Sequence, residues 1–405
     1  MLVNTIIGSA MTDTKNMRDI DDTTTEETLR FSPNWSAAST TATDLSLHQI
    51  APYIGRMKTS MARSLVVEHT KPGDLVVDPF CGCGVIPLEA AANDRRVVAG
   101  DWNPYAVLLT KAKLFPPASL ASAMRRLRKT WALSQRLLSG QDLRKIPIWV
   151  RRFFHPETLR NTLAFRDACV ARGDFFLLAC LLGVLHHQRP GFLSYPSSHL
   201  VPYLRDRKFP REQYPSMYEE RDVFSRLQAK ILRAFKRPVT GYTQSRRVLH
   251  IDAHKFPRLR NISAVISSPP YMNELDYIRD NRLRLWFIDL SLPEGLELKS
   301  RDRESEYKAL VTSVLTRLAS GIRPGGHIIL VVGEVTRGRG RPGRSDYITR
   351  LVFKSVNTLM SFELKGICVD EIPNIRRSRR ECAGTKSETV LIYKKRPLKL
   401  NLHGK

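Results

Sequence analysis

Leu75-Val76-Val77-Asp78-Pro79-Phe80-Cys81-Gly82-Cys83-Gly84 is the stretch that decides the fold. Three apolar residues end in an acid. A turn with two glycines follows, and Val85–Ala92 is compatible with a helix. Strand, tight loop and helix start is the nucleotide-binding end of an open α/β sheet. Glycines there let backbone N–H groups approach a ligand closely. Arg96-Val97-Val98-Ala99-Gly100-Asp101 then forms a second strand, also closed by an acid. The spacing predicts a right-handed βαβ unit. An acid in the place of Asp101 commonly takes ribose hydroxyls. A dinucleotide fingerprint would need a third small residue, but Gly82-Cys83-Gly84-Val85-Ile86-Pro87 places proline there, which weakens an NAD reading.

A second stretch belongs with the first: Val265-Ile266-Ser267-Ser268-Pro269-Pro270-Tyr271. An apolar strand runs directly into two prolines, which stiffen the backbone and remove two N–H donors, leaving carbonyl oxygens exposed. The amino group of a nucleic-acid base is a poor nucleophile because its lone pair is shared with the ring. Acceptors on its two hydrogens, such as the Ser268 hydroxyl and the Pro269 carbonyl, would localise that pair toward an electrophile. Tyr271 offers a flat face on which the base can stack. Such chemistry requires the base to leave the duplex. Asp252, closing a third strand at Val248–Ile251, is a candidate contact to the adenine of a ligand.

On these residues the chain resembles the amino-directed (N4-cytosine/N6-adenine) AdoMet-dependent DNA methyltransferases. Asp-Pro-Phe-Cys-Gly-Cys-Gly is similar to their AdoMet motif and Ser-Pro-Pro-Tyr to their catalytic motif. Leu47 to Arg63 looks like the segment that caps the methionine end of AdoMet. Gly325-Gly326 and Gly384 to Val390 look like later motifs. The resemblance covers about residues 45–117 and 245–397. It implies a Rossmann-like methyltransferase sheet with helices on both faces. It implies Asp78, Phe80, Gly82, Gly84, Asp101 and Asp252 around AdoMet, and Ser268, Pro269, Pro270 and Tyr271 around a flipped base. In this family a leading serine leans toward cytosine N4, and Asp or Asn toward adenine N6. C5 methylation needs a cysteine nucleophile next to proline, and no Pro-Cys dipeptide occurs. Two other readings are an RNA base amino-methyltransferase and a DNA-binding relative without activity. A cognate restriction enzyme is a possible partner.

Composition agrees with a polyanionic partner. Of 405 residues, 65 are Lys or Arg and 39 Asp or Glu, giving a net charge of +26. Two Arg-rich loops suit phosphate contacts: Thr336–Arg344, with Arg337, Arg339 and Arg341, and Ile375–Arg380, with Arg376, Arg377 and Arg379. The six cysteines form no Cys-x-x-Cys pair and sit near no metal-spaced histidines, so no metal is expected. They read as reduced thiols of a cytoplasmic protein. The longest apolar run, Phe175–Leu185, is too short to span a bilayer, and no basic region precedes Leu2–Ile7 as a signal peptide would require.

Five segments follow. Residues 1–45 are poor in apolar residues and expected to be a disordered tail, pinned at Phe31 or Trp35. Residues 46–117 form the AdoMet half. Residues 118–244 form a helical and loop insertion, a possible target-recognition element, with Arg189 to Tyr218 expected as loop. Residues 245–397 form the catalytic half, and 398–405 a basic tail. Helices are expected near 58–68, 105–113, 121–138, 175–185, 278–290, 302–318 and 346–359, and late strands near 327–332, 366–369 and 388–393.

Overall fold

The computed structural model describes residues 29–35, 44–197, 202–239, 241–270, 277–291, 303–335, 352, 355–356, 359, 361–371 and 385–397. Helix α1 (Thr59–His69) leads into β1 (Leu75–Asp78), α2 (Val85–Ala92), β2 (Arg96–Asp101) and α3 (Pro104–Leu114). The helical layer follows: α4 (Leu120–Leu137), the single turn α5 (Ile148–Arg151), α6 (Pro156–Ala171), α7 (Phe175–Leu185), α8 (Pro202–Lys208) and α9 (Val223–Ala234). The chain then returns to the sheet through β3 (Arg246–His250), β4 (Ile262–Ser267), α10 (Tyr277–Ile288), α11 (Arg303–Ala319), β5 (Ile322–Val335), β6 (Phe362–Glu371) and β7 (Thr385–Lys395).

The seven strands lie in the order β3-β2-β1-β4-β5-β7-β6. The first five run parallel, and β7 runs antiparallel to both β5 and β6. The chain builds outward from β1 through β2 to β3, then crosses back to lay β4 on the other side of β1. That reversal opens a crevice at the carboxyl ends of β1 and β4, where open α/β sheets hold ligands. Both strands are buried along their whole length, as central parallel strands covered on two faces must be. Alternate residues serve the two faces. Val76, Ala264, Ile329 and Val390 pack on the side of α1–α3 and α7. Val77, Val265, Ile328 and Leu391 pack against Val311, Val314 and Leu318 of α11. This is a Rossmann-like α/β fold with helices on both faces of the sheet.

Helix α7, apolar on every side (FFLLACLLGVL), is sandwiched between α3 and the outer helices, as its composition requires. Gly183 is needed there: a Cβ would come within 2.0 Å of the Ile50 carbonyl. The segment that precedes α1 is thereby pressed onto α7. It is also tied to α9 and its C-terminal flank, where Ser46 N donates to the Arg237 carbonyl and Lys230 Nζ to the Gln49 carbonyl at 2.7 Å.

Several expectations change in detail. Pro202–Lys208 is helical and Pro215–Tyr218 forms a 3-10 turn, within a stretch expected as loop. Tyr195 and Tyr218 pack together at 4.9 Å and Arg205 lies over both rings, supplying an aromatic support that proline content conceals. Strand β5 starts earlier than expected. Its pairing jumps from Ile322 to His327 against Ile262 and Ala264, so the Arg323–Gly326 turn sits within it as a bulge. Trp35 is buried and donates from its indole to Asp370, and Phe31 N donates to the Ile367 carbonyl at the β6 edge. The rest of the expected tail, residues 1–28 and 36–43, lies outside the described residues, as does the tail at 398–405.

Candidate active site

An open cleft of about 740 Å³, counting its mouth, lies over the carboxyl ends of β1, β2 and β4. Its floor is the loop after β1. Gly82 (φ +47°) and Gly84 (φ +72°) both adopt left-handed backbone. The second cannot be replaced cheaply, because a Cβ there would meet Thr110 Oγ1 at 2.6 Å. The loop is held from three sides. Cys81 N donates to the Gly100 carbonyl at 3.0 Å, Thr110 Oγ1 to the Gly82 carbonyl at 3.1 Å, and Lys113 Nζ to the Cys83 carbonyl. Lys113 is fully buried, and burial lowers its pKa.

Two carboxylates face this loop. Asp101 Oδ2 accepts from Gly82 N and its Oδ1 from Asn103 N, each at 2.9 Å. Asn103 in turn caps α3, accepting from Tyr105 N ahead of Pro104. Burial raises the Asp101 pKa. Asp78 is more deeply enclosed. Burial pushes its pKa up to about 7, against the lowering effect of bonds from Ser267 and Phe80 N, with the Asp101 charge adding to the rise. A pair of desolvated carboxyls at the floor of a cleft is a site prepared for a cation or for hydroxyl donors.

The loop after β4 forms the opposite wall. Ser267 Oγ donates to Asp78 Oδ1 at 2.6 Å, joining the ends of β4 and β1 directly. Ser268 Oγ donates to the Val331 carbonyl of β5 at 3.0 Å. With its one hydrogen spent there, the Ser268 oxygen has only lone pairs to offer the cleft. Ser268 and Pro270 line the cleft, while Pro269 is buried and is not among the lining residues.

The remaining wall comes from the segment before α1. Tyr53 packs on Gly82 and lies 5.9 Å from the Tyr105 ring, while Tyr105 donates to the Pro52 carbonyl. Arg56 lines the cleft and anchors one guanidinium nitrogen on the His48 carbonyl at 2.6 Å. Beneath it His48 Nε2 meets Glu89 Oε1 at 2.7 Å, and Arg63 meets the other Glu89 oxygen at 3.0 Å. Burial holds His48 down to about 4, so it is neutral at pH 7. Trp102, half exposed at the cleft, follows Asp101 directly, and its carbonyl is 2.8 Å from His250 Nε2.

Of the residues singled out by sequence, the cleft brings together Asp78, Phe80, Gly82, Asp101, Ser268 and Pro270, with Gly84 at the root of its floor. Asp252 is elsewhere. It is exposed, caps the turn Ala253–Lys255 by accepting from His254 N, and is not among the cleft residues. Tyr271 and the arginine loops, with Arg337, Arg339, Arg341, Arg376, Arg377 and Arg379, lie outside the described residues. Sequence reading did not single out Ser267 or Trp102, and reached Arg56 only as part of the Leu47–Arg63 segment. A tryptophan next to a strand-end acid was the available signal for Trp102; Ser267 carries none.

Residues 50–140 match the family described as "UPF0020: RMKL-like, methyltransferase domain". That span contains the floor loop, Asp101, Tyr53 and Arg56, and it extends through α4. The match supports AdoMet-dependent methyl transfer. It does not select a DNA amino group over another substrate. Among solved structures, TrmN from Thermus thermophilus is 14% identical over 86% of this chain and 52% of its own, with a TM-score of 0.35. This chain thus spans about half its length. A putative rRNA-methylase from Clostridium thermocellum is 11% identical over 84% of this chain and all of its own, at 0.32. The [4+2]-cyclase SpnF is 11% identical over 85% and 86%, at 0.33. Overlaps this loose carry no argument about substrate. No curated protein matches the sequence. Among the described residues no group of His, Cys, Asp and Glu could hold a metal, and no helix is long and apolar enough to cross a membrane.

Proposed function

We propose that this chain transfers a methyl group from AdoMet to the exocyclic amino nitrogen of a DNA base, cytosine N4 in the first place. One observation carries the reading. The floor loop and the Ser268–Pro270 wall share one cleft and are joined by the Ser267–Asp78 hydrogen bond of 2.6 Å. A cofactor site and an amino-acceptor site are therefore a few ångströms apart on rigid strand ends, the spacing that direct transfer needs.

The residues fit AdoMet. Asp78 and Asp101 offer acceptors to a cation and to ribose hydroxyls, and Arg56 offers a cation to a carboxylate. AdoMet bound here supplies an electrophilic methyl group. Asp101 is fixed by two backbone N–H groups and retains a lone pair on each oxygen for the ribose. Ser268, with its hydrogen committed to Val331, accepts from the amino group of the base, and the resemblance to amino-directed methyltransferases implies the Pro269 carbonyl as the second acceptor. Together they would draw the amino lone pair out of ring conjugation. The net charge of +26 suits a phosphate backbone.

The test is incubation with labelled AdoMet and, in parallel, mixed-sequence duplex DNA and RNA, followed by nucleoside analysis. The expected product is N4-methylcytosine from DNA. Label on cytosine C5, or on RNA alone, overturns the proposal. Label on adenine N6 keeps the class and changes the base.

A further inference from the structure

The chain's positive surplus is unevenly placed. Residues 118–244 hold 23 Lys and Arg against nine Asp and Glu, while the other 278 residues hold 42 against 30. More than half of the surplus therefore sits in under a third of the chain. Within that third it concentrates on α4. This 18-residue helix contains no acid at all. Soluble surfaces ordinarily mix both signs.

The helix is sharply two-faced. Ala123, Leu127, Thr130 and Ser134 are buried, and α4 packs through that side on α6 and α9. Arg125, Arg128, Lys129 and Arg136 are exposed. At 3.6 residues per turn they fall within an arc of about 120°, opposite the buried residues. Arg126, the fifth cation, turns aside to pair with Asp174 at 2.8 Å. Among the described residues no carboxylate pairs with the other four. Arg125 and Arg136 are eleven positions apart, about 16 Å along the axis.

This layer is braced against the catalytic half. Arg166 of α6 donates to the Phe287 and Ile288 carbonyls at 2.9 and 2.8 Å. Trp149 of α5 packs edge-on against Trp286, with Arg282 stacked over it at 4.2 Å. These partners belong to α10, the helix that follows the Ser268–Pro270 wall. The basic face is thus held in a fixed relation to the cleft.

We propose that the exposed face of α4 docks the phosphate backbone of duplex DNA. The inference rests on the DNA reading above and names the surface that serves it. A duplex presents one negative charge per about 1.7 Å of axis, so a row of four unpaired cations over that length meets several phosphates at once. Such contacts position the protein without reading sequence.

The experiment measures affinity for a fluorescein-labelled duplex by anisotropy, across a salt titration. The variant R125Q/R128Q/K129Q/R136Q is compared with wild type. A control, K71Q/R258Q/R260Q, neutralises exposed cations in the segments entering β1 and β4, at the opposite end of the strands from the cleft. The α4 variant should bind at least ~10-fold more weakly, and the slope of log K against log salt should fall by about three. Its affinity for AdoMet should be unchanged, and the control should alter the slope by less than about one. An α4 variant with the wild-type slope, or a control that loses as much, overturns the inference while leaving the DNA reading intact. Wild type that binds RNA but no duplex DNA overturns both.

Discussion

The two loops that make the cleft are built differently. The floor, Asp78 to Gly84, is shaped by its own glycines and braced by β2 and α3, the elements that follow it; Thr110 and Lys113 reach back only 28 and 30 residues to hold its carbonyls. The wall, Ser267 to Pro270, has two prolines for stiffness but takes its position from distant strands. Ser267 reaches Asp78 across 189 residues, and Ser268 reaches Val331 across 63. The floor is a local structure that a single substitution should break. The wall is a tertiary structure whose parts should fail by degrees. Under the proposed function the comparison also separates tasks: the floor would hold cofactor, and the wall would present acceptors to the base.

The largest effect is expected at Gly84. G84A places a Cβ on left-handed backbone and against Thr110, two penalties of about 1–3 kcal/mol each. Calorimetry should show AdoMet affinity reduced ~100-fold or more. Adding T110A should recover part of it, by removing the 2.6 Å contact but not the backbone strain. Recovery to the wild-type value would mean that the floor's conformation is not set by its glycine.

Asp78 comes next, because it belongs to both loops. Burial raises its folded pKa to about 7, above the ordinary carboxyl value of 3.8. A bound cation favours its ionised form, so wild-type affinity for AdoMet should climb as pH rises toward 7, by up to ~10-fold per unit, and then level off. D78N should bind weakly with no such rise. The sign for stability is the reverse. A carboxyl whose folded pKa is raised contributes stability that is fully present below about pH 4 and lost as pH rises through about 7. D78N should therefore melt higher than wild type at pH 8 and close to it at pH 4. A pH-independent wild-type affinity would remove Asp78 from the cation site.

The smallest effect is expected at Ser267. Its bond lowers the Asp78 pKa, so S267A should move the midpoint of the AdoMet pH profile to higher pH and weaken binding at pH 7 by roughly 3–10-fold. An unshifted midpoint would mean that floor and wall are not coupled through this contact.

This contrast also explains what was legible in the sequence. The floor could be read because its determinants are contiguous: an apolar strand, an acid and two glycines, with Asp101 closing the next strand. The parallel pairing of β1 with β2 followed from the same βαβ logic; the reversal to β4 and the antiparallel β7 did not. The wall was half legible, since Ser-Pro-Pro announces rigidity and exposed carbonyls. Nothing local, however, indicates that Ser267 bonds to Asp78 or that Ser268 spends its hydrogen on Val331; those partners exist only once β1, β4 and β5 are adjacent. Asp252 closes β3, at the edge of the sheet, where it caps the turn Ala253–Lys255, a bond that the sequence did not announce. In the helical layer, proline density around 202–218 hid a helix whose Arg205 lies over the packed Tyr195 and Tyr218 rings. Composition alone was informative there, through an acid-free basic helix.

The division of labour between floor and wall is tested most directly at Ser268, by measuring AdoMet affinity and methyl transfer to DNA on the same preparation of S268A. Loss of a positioned acceptor should lower turnover by about 100-fold or more, with AdoMet affinity within about twofold of wild type. Parallel loss of both would contradict the account, since it would make Ser268 part of the cofactor site; retention of full turnover would contradict it equally, since the amino group would then need no acceptor from this wall.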